Sequence, residues 1–305
     1  NILRAAAASG PADVWAVGEY LDSTGFARTL TLHWDGARWK AIASPNISPN
    51  GETSNNRLMS VAALAPNNAW AVGSYDQQTS SQPLILRWNG TNWQNVAAPK
   101  PTGATNFQLN GVSAASATDA WAVGSYLDAN FNRRTLTLHW DGTAWSVVPS
   151  PNPNSFLNAL SSVTHAAGDV WAVGYTSDGS GYHTLTMRWS GANWQVVASP
   201  NAGMPFENNE LLAIRAAGPG DIWAFGYTGI SADDGHPLAL HWDGAEWQVI
   251  AQPTSASGML AAAATVNGKV WAAGASSGSA SHTLVERFLA PRGTETVYLP
   301  LMQRP

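Results

Sequence analysis

Six polar residues recur along the chain at nearly constant spacing: Arg28, Gln82, Arg134, His183, His236 and His282. Five of these six can carry positive charge, so a row of them at one height would suit an anionic sugar or a carboxylate. Tyrosines and acids accompany them, at Tyr20, Asp22, Tyr75, Tyr126, Asp128, Tyr182 and Tyr227. A ring face takes the apolar side of a sugar, and planar polar groups take its paired hydroxyls. The predicted ligand-binding set is therefore Tyr20, Asp22, Arg28, Tyr75, Tyr126, Asp128, Arg134, Tyr182, His183, Tyr227 and His236. The competing account is structural. The cations would pair with Asp22, Asp128 or Asp178 in their own loops, and the rings would plug those loops onto the sheets beneath. The three histidines are not read as a metal site, because different repeats place them far apart.

Catalytic chemistry finds little purchase. There are no cysteines, hence no disulfide and no thiolate. Polysaccharide hydrolysis needs two carboxylates about 5–10 Å apart across one pocket. Glu207 and Glu210 are the close glutamates in the variable loops, and they are neighbours in one loop. No catalytic residue, resident metal or cofactor is expected. Calcium is the one ion suited to the oxygen-rich runs Asp178 to Gly181 and Asp233 to Gly235, although neither has the spacing of an EF-hand loop.

These residues need a scaffold, and the chain advertises one. Trp-Ala-x-Gly begins at Trp15, Trp70, Trp121, Trp171, Trp223 and Trp271, in steps of 55, 51, 50, 52 and 48 residues. A period near 50 marks one supersecondary unit repeated. The third copy shows its parts. Leu109 to Ala114 alternates, a turn follows at Ser116 to Asp119, and Ala120 to Tyr126 is a second run. Thr135 to Trp140 is a third, Asp141 and Gly142 form a hairpin turn, and Trp145 to Val148 is a fourth. Four short antiparallel strands per repeat, six times, predict an all-β, six-bladed β-propeller. Its blades would cover roughly 1–45, 57–98, 109–150, 157–200, 210–252 and 258–300, as a single domain over 1–300 with a tail at 301–305. Three Trp in each of the first five repeats would fill the gaps between blades. In the last repeat Phe288 replaces a Trp, and Thr294 to Leu301 is expected to serve as its fourth strand.

The repeated phrases Asp-Val-Trp-Ala-Val-Gly, Thr-Leu-Thr-Leu-His-Trp-Asp-Gly and Trp-x-x-Val-x-Ser-Pro-Asn resemble kelch-like, galactose-oxidase-central-domain-like repeats of secreted bacterial proteins. The turn from Trp34 to Trp39 also resembles a degenerate sialidase Asp-box, without its leading Ser. The resemblance implies a propeller and imports no catalysis. The copper site of galactose oxidase uses a Tyr crosslinked to Cys, and Cys is absent here.

Within a repeat, the connections from second to third strand and from fourth strand to the next repeat are long and variable. The other connections are short and uniform. Binding residues concentrate on loops held by rigid scaffolds, so the long-loop end is the predicted site. A second polar alternation reads as structural. His33, Arg87, His139, Arg188 and His241 end the third strands, opposite Asp13, Asn68, Asp119, Asp169 and Asp221. Cross-strand pairs are expected in these five repeats, and a broken one where Lys269 meets Arg287, with Glu286 nearby to compensate.

Charged residues make up 11 % of the chain and the net charge is −5, without a Lys/Arg cluster, which argues against nucleic acid. No apolar run is long enough to span a membrane. The composition, with a start at Asn1, reads as a mature secreted chain, extracellular or at the cell surface. The expected function is non-catalytic recognition of a glycan. The alternative is a structural subunit of a surface layer, filament or larger complex, self-assembling through its C-terminal tail or binding an extracellular protein. A polysaccharide hydrolase or lyase is the third reading.

Overall fold

Each Trp-Ala-x-Gly phrase alternates large and small residues, and every one becomes the second strand of an antiparallel strand set. The computed structural model describes residues 1–48, 51, 54–204, 206–230, 234–251, 257–266, 269–276 and 282–288. The chain divides into two compact units, Asn1–Ser150 and Pro151–Pro305. All regular elements among the described residues are strands. The first unit holds β1 (Ile2–Gly10), β2 (Asp13–Leu21), β3 (Ala27–Trp34), β4 (Trp39–Ala41), β5 (Asn56–Ala65) and β6 (Asn68–Gln77). It continues with β7 (Ser80–Trp88), β8 (Trp93–Val96), β9 (Thr105–Ser116), β10 (Asp119–Leu127), β11 (Arg133–Trp140) and β12 (Trp145–Val147). The second unit holds β13 (Leu157–Ala166), β14 (Asp169–Ser177), β15 (His183–Trp189), β16 (Trp194–Val197), β17 (Asn208–Gly218) and β18 (Asp221–Gly229). Then come β19 (His236–Trp242), β20 (Trp247–Val249), β21 (Gly258–Val266), β22 (Lys269–Ser276) and β23 (His282–Phe288).

The expected six-bladed propeller is corrected by the sheet topology. Discrete small sheets number four among the described residues: β1–β4, β5–β8 and β17–β20 with four strands each, and β21–β23 with three. The sets β9–β12 and β13–β16 keep the same internal order without closing off as discrete sheets. The physical reason is that a sequence period counts copies of a strand phrase. A blade is bounded instead by where edge hydrogen bonding stops, which the period does not encode. The run from Thr294 to Leu301, expected to add a fourth strand to the last set, lies outside the described residues, as does the tail at 301–305.

Tryptophan packs neighbouring strand sets together inside each unit. In the first unit Trp15 meets Trp88 and Trp93 at ring separations of 4.8 and 4.9 Å. Trp70 meets Trp140 and Trp145 in the same way, at 5.0 and 5.1 Å. In the second unit Trp171 packs on Trp242 and Trp247, and Trp223 packs on Phe288 at 5.2 Å. The second-strand Trp of one set thus enters between the third- and fourth-strand rings of the next. Trp15, Trp70, Trp171 and Trp223 are buried, and such rings dominate core energetics. Phe288 fills the Trp place in the last set and stays buried.

The invariant Gly of the phrase has an equally local cause. A Cβ on Gly18, Gly73, Gly124, Gly174, Gly226 or Gly274 would collide with the carbonyl oxygen of Ile2, Arg57, Gln108, Ala159, Glu210 or Met259. Each first strand slips register at this place, as between Leu58 and Ser60 or between Leu211 and Ala213. The bulge pushes backbone onto its neighbour, and only Gly leaves room.

The polar pairs form at four of the five expected places. Asp13 bonds His33 at 2.6 Å, Asp119 bonds His139 at 3.0 Å, and Asp221 bonds His241 at 2.9 Å. Asp169 accepts from both Nε and Nη2 of Arg188. The second pair fails: the Asn68 amide oxygen is buried without a donor, and Arg87 lies over Trp70 and Trp140 instead. In the last set Arg287 stacks on Trp271, and among the described residues neither its Nε nor the Glu286 carboxylate has a hydrogen-bond partner, so Glu286 does not compensate the broken pair.

Candidate recognition site

The long connections are held by their own side chains. In the first unit Asp22 accepts from the Thr24 hydroxyl and backbone N–H, from Phe26 N–H, and from Arg28 Nε at 2.7 Å. The Thr24 hydroxyl and then Arg28 hold its carboxyl well below the usual range. Asp128 does the same with Asn130 N–H, Asn132 N–H and Arg134 Nε at 2.7 Å, and Arg134 lowers its carboxyl. Arg28 and Arg134 are therefore bonded within their own loops. Gln82 accepts from Lys100 Nζ at 3.0 Å.

The tyrosines of this unit share a register: Tyr20 lies opposite Arg28, Tyr75 opposite Gln82, and Tyr126 opposite Arg134. Their exposures diverge. Tyr20 is 37 % exposed, whereas Tyr75 packs against the core and burial pushes its hydroxyl up. Tyr126 lies on the buried ring of Phe107, and burial raises its hydroxyl too. The most exposed ring of the unit is Phe131, at 78 %.

In the second unit the long loops are cross-tied. Asn208 Oδ1 accepts from Tyr182 N–H at 3.0 Å, and Asn208 Nδ2 donates to the Ile230 carbonyl at 2.8 Å. Asn209, almost fully buried, accepts from Ala202 N–H and donates to the Glu207 carbonyl. Three loops thus share one frame, with Tyr182 on it. Tyr175 and Tyr182 face each other at 5.0 Å. Tyr227 is buried and donates its hydroxyl to Glu210 Oε1 at 2.6 Å. Burial raises the Glu210 carboxyl above its ordinary range. Burial, and then Glu210, push the Tyr227 hydroxyl far above its own. Met204, Phe206 and Ile230 stand exposed on these loops.

The remaining predicted residues are simply placed. His183 Nδ1 contacts Asn201 Nδ2 at 3.2 Å, and Asn201 Oδ1 accepts from Thr184 N–H. His236 is exposed opposite Thr228. The side chain of His282 lies outside the described residues. The two glutamates do different work: Glu207 Oε2 caps Met204 N–H at 2.9 Å, while Glu210 bonds Tyr227. Asp178 Oδ1 is occupied by the N–H and hydroxyl of Ser180. Asp233 lies outside the described residues, among which no group of three or more His, Asp or Glu could hold a metal ion.

Sequence reasoning missed Tyr175 and Ile230. Tyr175 directly follows the Gly of its Trp-Ala-x-Gly phrase, as Tyr227 does, and that shared place was legible. It also missed a cavity of about 170 Å³ at the short-turn end of the second unit, lined by Asp169, Trp171, Arg188, Gly220 and Trp242 among others. Its charged walls, Asp169 and Arg188, already bond each other, so a ligand there would compete with that pair. The Asp-box-like turns are structural: Asp35, Asp141 and Asp243 each accept from the two backbone N–H groups two and three residues on.

No protein-family model matches the chain, and no curated protein does. Solved structures do. A Trypanosoma rangeli sialidase in complex with 2,3-difluorosialic acid aligns with a TM-score of 0.60 at 13 % identity, over 93 % of this chain and 53 % of that one. A protein of unknown function from Dyadobacter fermentans aligns with a TM-score of 0.60 at 12 % identity, over 93 % of both chains. YCF48 bound to a D1 peptide aligns with a TM-score of 0.41 at 12 % identity. This chain spans about half the length of the sialidases it matches. At these identities the likeness shows the fold, a β-propeller, and leaves the kelch-like assignment without support from a family model.

Proposed function

We propose that the chain is a secreted, non-catalytic recognition propeller that binds glycan through its long loops. The observation that carries this reading is the cross-tied end of the second unit. There Asn208 ties the Tyr182 backbone, Tyr175 packs on Tyr182, buried Tyr227 bonds Glu210, and Phe206 stands exposed beside Glu207. Aromatic faces beside fixed polar groups suit the two sides of a sugar. Rigid loops reduce the ordering cost of binding. Trypanosoma rangeli sialidase, whose aligned half shares this fold, occurs in complex with sialic acid. The separate duties of Glu207 and Glu210 favour binding over turnover.

The test is a glycan and polysaccharide array, followed by titration of Tyr182→Ala and Phe206→Ala. Sugar-competable binding by the wild type, weakened about tenfold or more in both variants, is expected from loss of a stacking contact. A silent array removes this reading. The exposed Met204, Phe206 and Ile230 would then favour the second one, a structural subunit whose apolar loops meet a protein neighbour.

A further inference from the structure

Two long loops of the first unit are the same loop built twice. One opens on Asp22 and closes on Arg28, the other opens on Asp128 and closes on Arg134. Both join Asp Oδ2 to Arg Nε at 2.7 Å. Both place Asp Oδ1 on the backbone N–H groups two and four residues on. Both send the N–H of the fourth loop residue to the Asp carbonyl, from Gly25 at 3.0 Å and from Phe131 at 2.9 Å. That fourth residue takes a left-handed backbone in each, with φ of 86° at Gly25 and 61° at Phe131.

Glycine adopts this conformation freely, whereas a Phe there is strained by crowding of its Cβ. The strain brings no burial, because Phe131 is 78 % exposed. On both counts Gly would fold this loop better, as it does in the sister loop. Strained residues that do not help folding point to function. The loop holds the ring outward, flanked in sequence by Asn130 and Asn132. Around it the charges are engaged: Asp128 with Arg134, and Arg133 Nη1 with Ser125 Oγ at 3.0 Å. An exposed ring between amides matches a pyranose, whose C–H face stacks while its hydroxyls take the amides. The same pairing of exposure and left-handed backbone recurs in the second unit at Phe206, 81 % exposed with φ of 74°.

We infer that Phe131 is a glycan-contacting residue, stacking on the C–H face of a pyranose, in the first unit; the inference rests on the glycan-binding reading above. The test compares wild type with Phe131→Gly on the polysaccharide that the array selects, with thermal melting alongside. The substitution is expected to raise the melting temperature by about 2–4 °C and to weaken binding about tenfold or more. Unchanged affinity in Phe131→Gly overturns the inference while leaving the broader reading intact. A lowered melting temperature also overturns it, because the ring would then be contributing to the fold. Absence of binding by the wild type overturns both, a pattern distinct from either of the others.

Discussion

Glu286 stands where the other repeats carry Leu32, Leu86, Leu138, Met187 and Leu240. It is 4 % exposed, and neither carboxylate oxygen meets a hydrogen-bond donor among the described residues. Burial pushes its carboxyl up. A raised pKa means that the folded state holds the proton more tightly than the unfolded chain. Its contribution is therefore fully present below the ordinary carboxylate range and is lost as pH rises above it. Glu286→Leu should gain about 2 kcal/mol at pH 7, and clearly less near pH 4. Denaturant unfolding at the two pH values checks this, and an equal gain at both would show that the carboxylate does not titrate. Residue types pointed to Arg28 and Arg134 as ligand cations, with pairing to Asp22 and Asp128 as the competing account, and each Arg is bonded to that Asp in its own loop.

Strands and loops follow from short-range rules that the repeats apply again and again. The bulge in each first strand and the Gly beside it form one device. Gly124→Ala should cost at least about 3 kcal/mol, because the colliding atom is the Gln108 backbone and cannot swing away. A melting temperature unchanged by this substitution would mean that the bulge is free to relax. Loops are fastened by a second device, a buried Asn near the start of the first strand. Asn56, Asn158 and Asn209 each accept a backbone N–H from the preceding loop and donate to a carbonyl there. The third strand adds its Thr. Thr31, Thr137 and Thr186 donate to carbonyls of Ile42, Val148 and Val197. The other Thr of the Thr-Leu-Thr phrase meets Ser-Pro-Asn: Thr29, Thr135 and Thr184 bond Ser44, Ser150 and Ser199, and Asn46 and Asn201 accept from Thr29 and Thr184 N–H, so both phrases serve strand-to-loop fastening.

Across the whole chain, charge is scarce, and among the described residues several charges are engaged locally. Lys and Arg number 15 and Asp and Glu number 20 in 305 residues. The ion pairs at Arg4–Glu19, Arg28–Asp22, Arg134–Asp128 and Arg188–Asp169 join residues of one strand set. A ligand held by stacking and neutral hydrogen bonds feels little ionic screening. Glycan affinity should therefore change less than about twofold between about 0.05 and 0.5 M NaCl. A steep loss with salt would assign binding to cations instead of rings.

The sequence by itself determined that the chain is an array of small antiparallel sheets, with Trp at the packing positions and a Gly at each bulge. Those features depend on alternation and on contacts between neighbours in the chain, which a period of about 50 residues records directly. The tertiary structure alone decided how many sheets stay discrete, because edge pairing involves strands that the period treats alike. It also decided which rings are plugs and which are exposed. Tyr75, Tyr126 and Phe131 all belong to loop-end positions, yet the first two pack onto buried side chains while Phe131 projects from a left-handed turn. Burial depends on what distant chain lies beneath a ring, and residue type does not specify that.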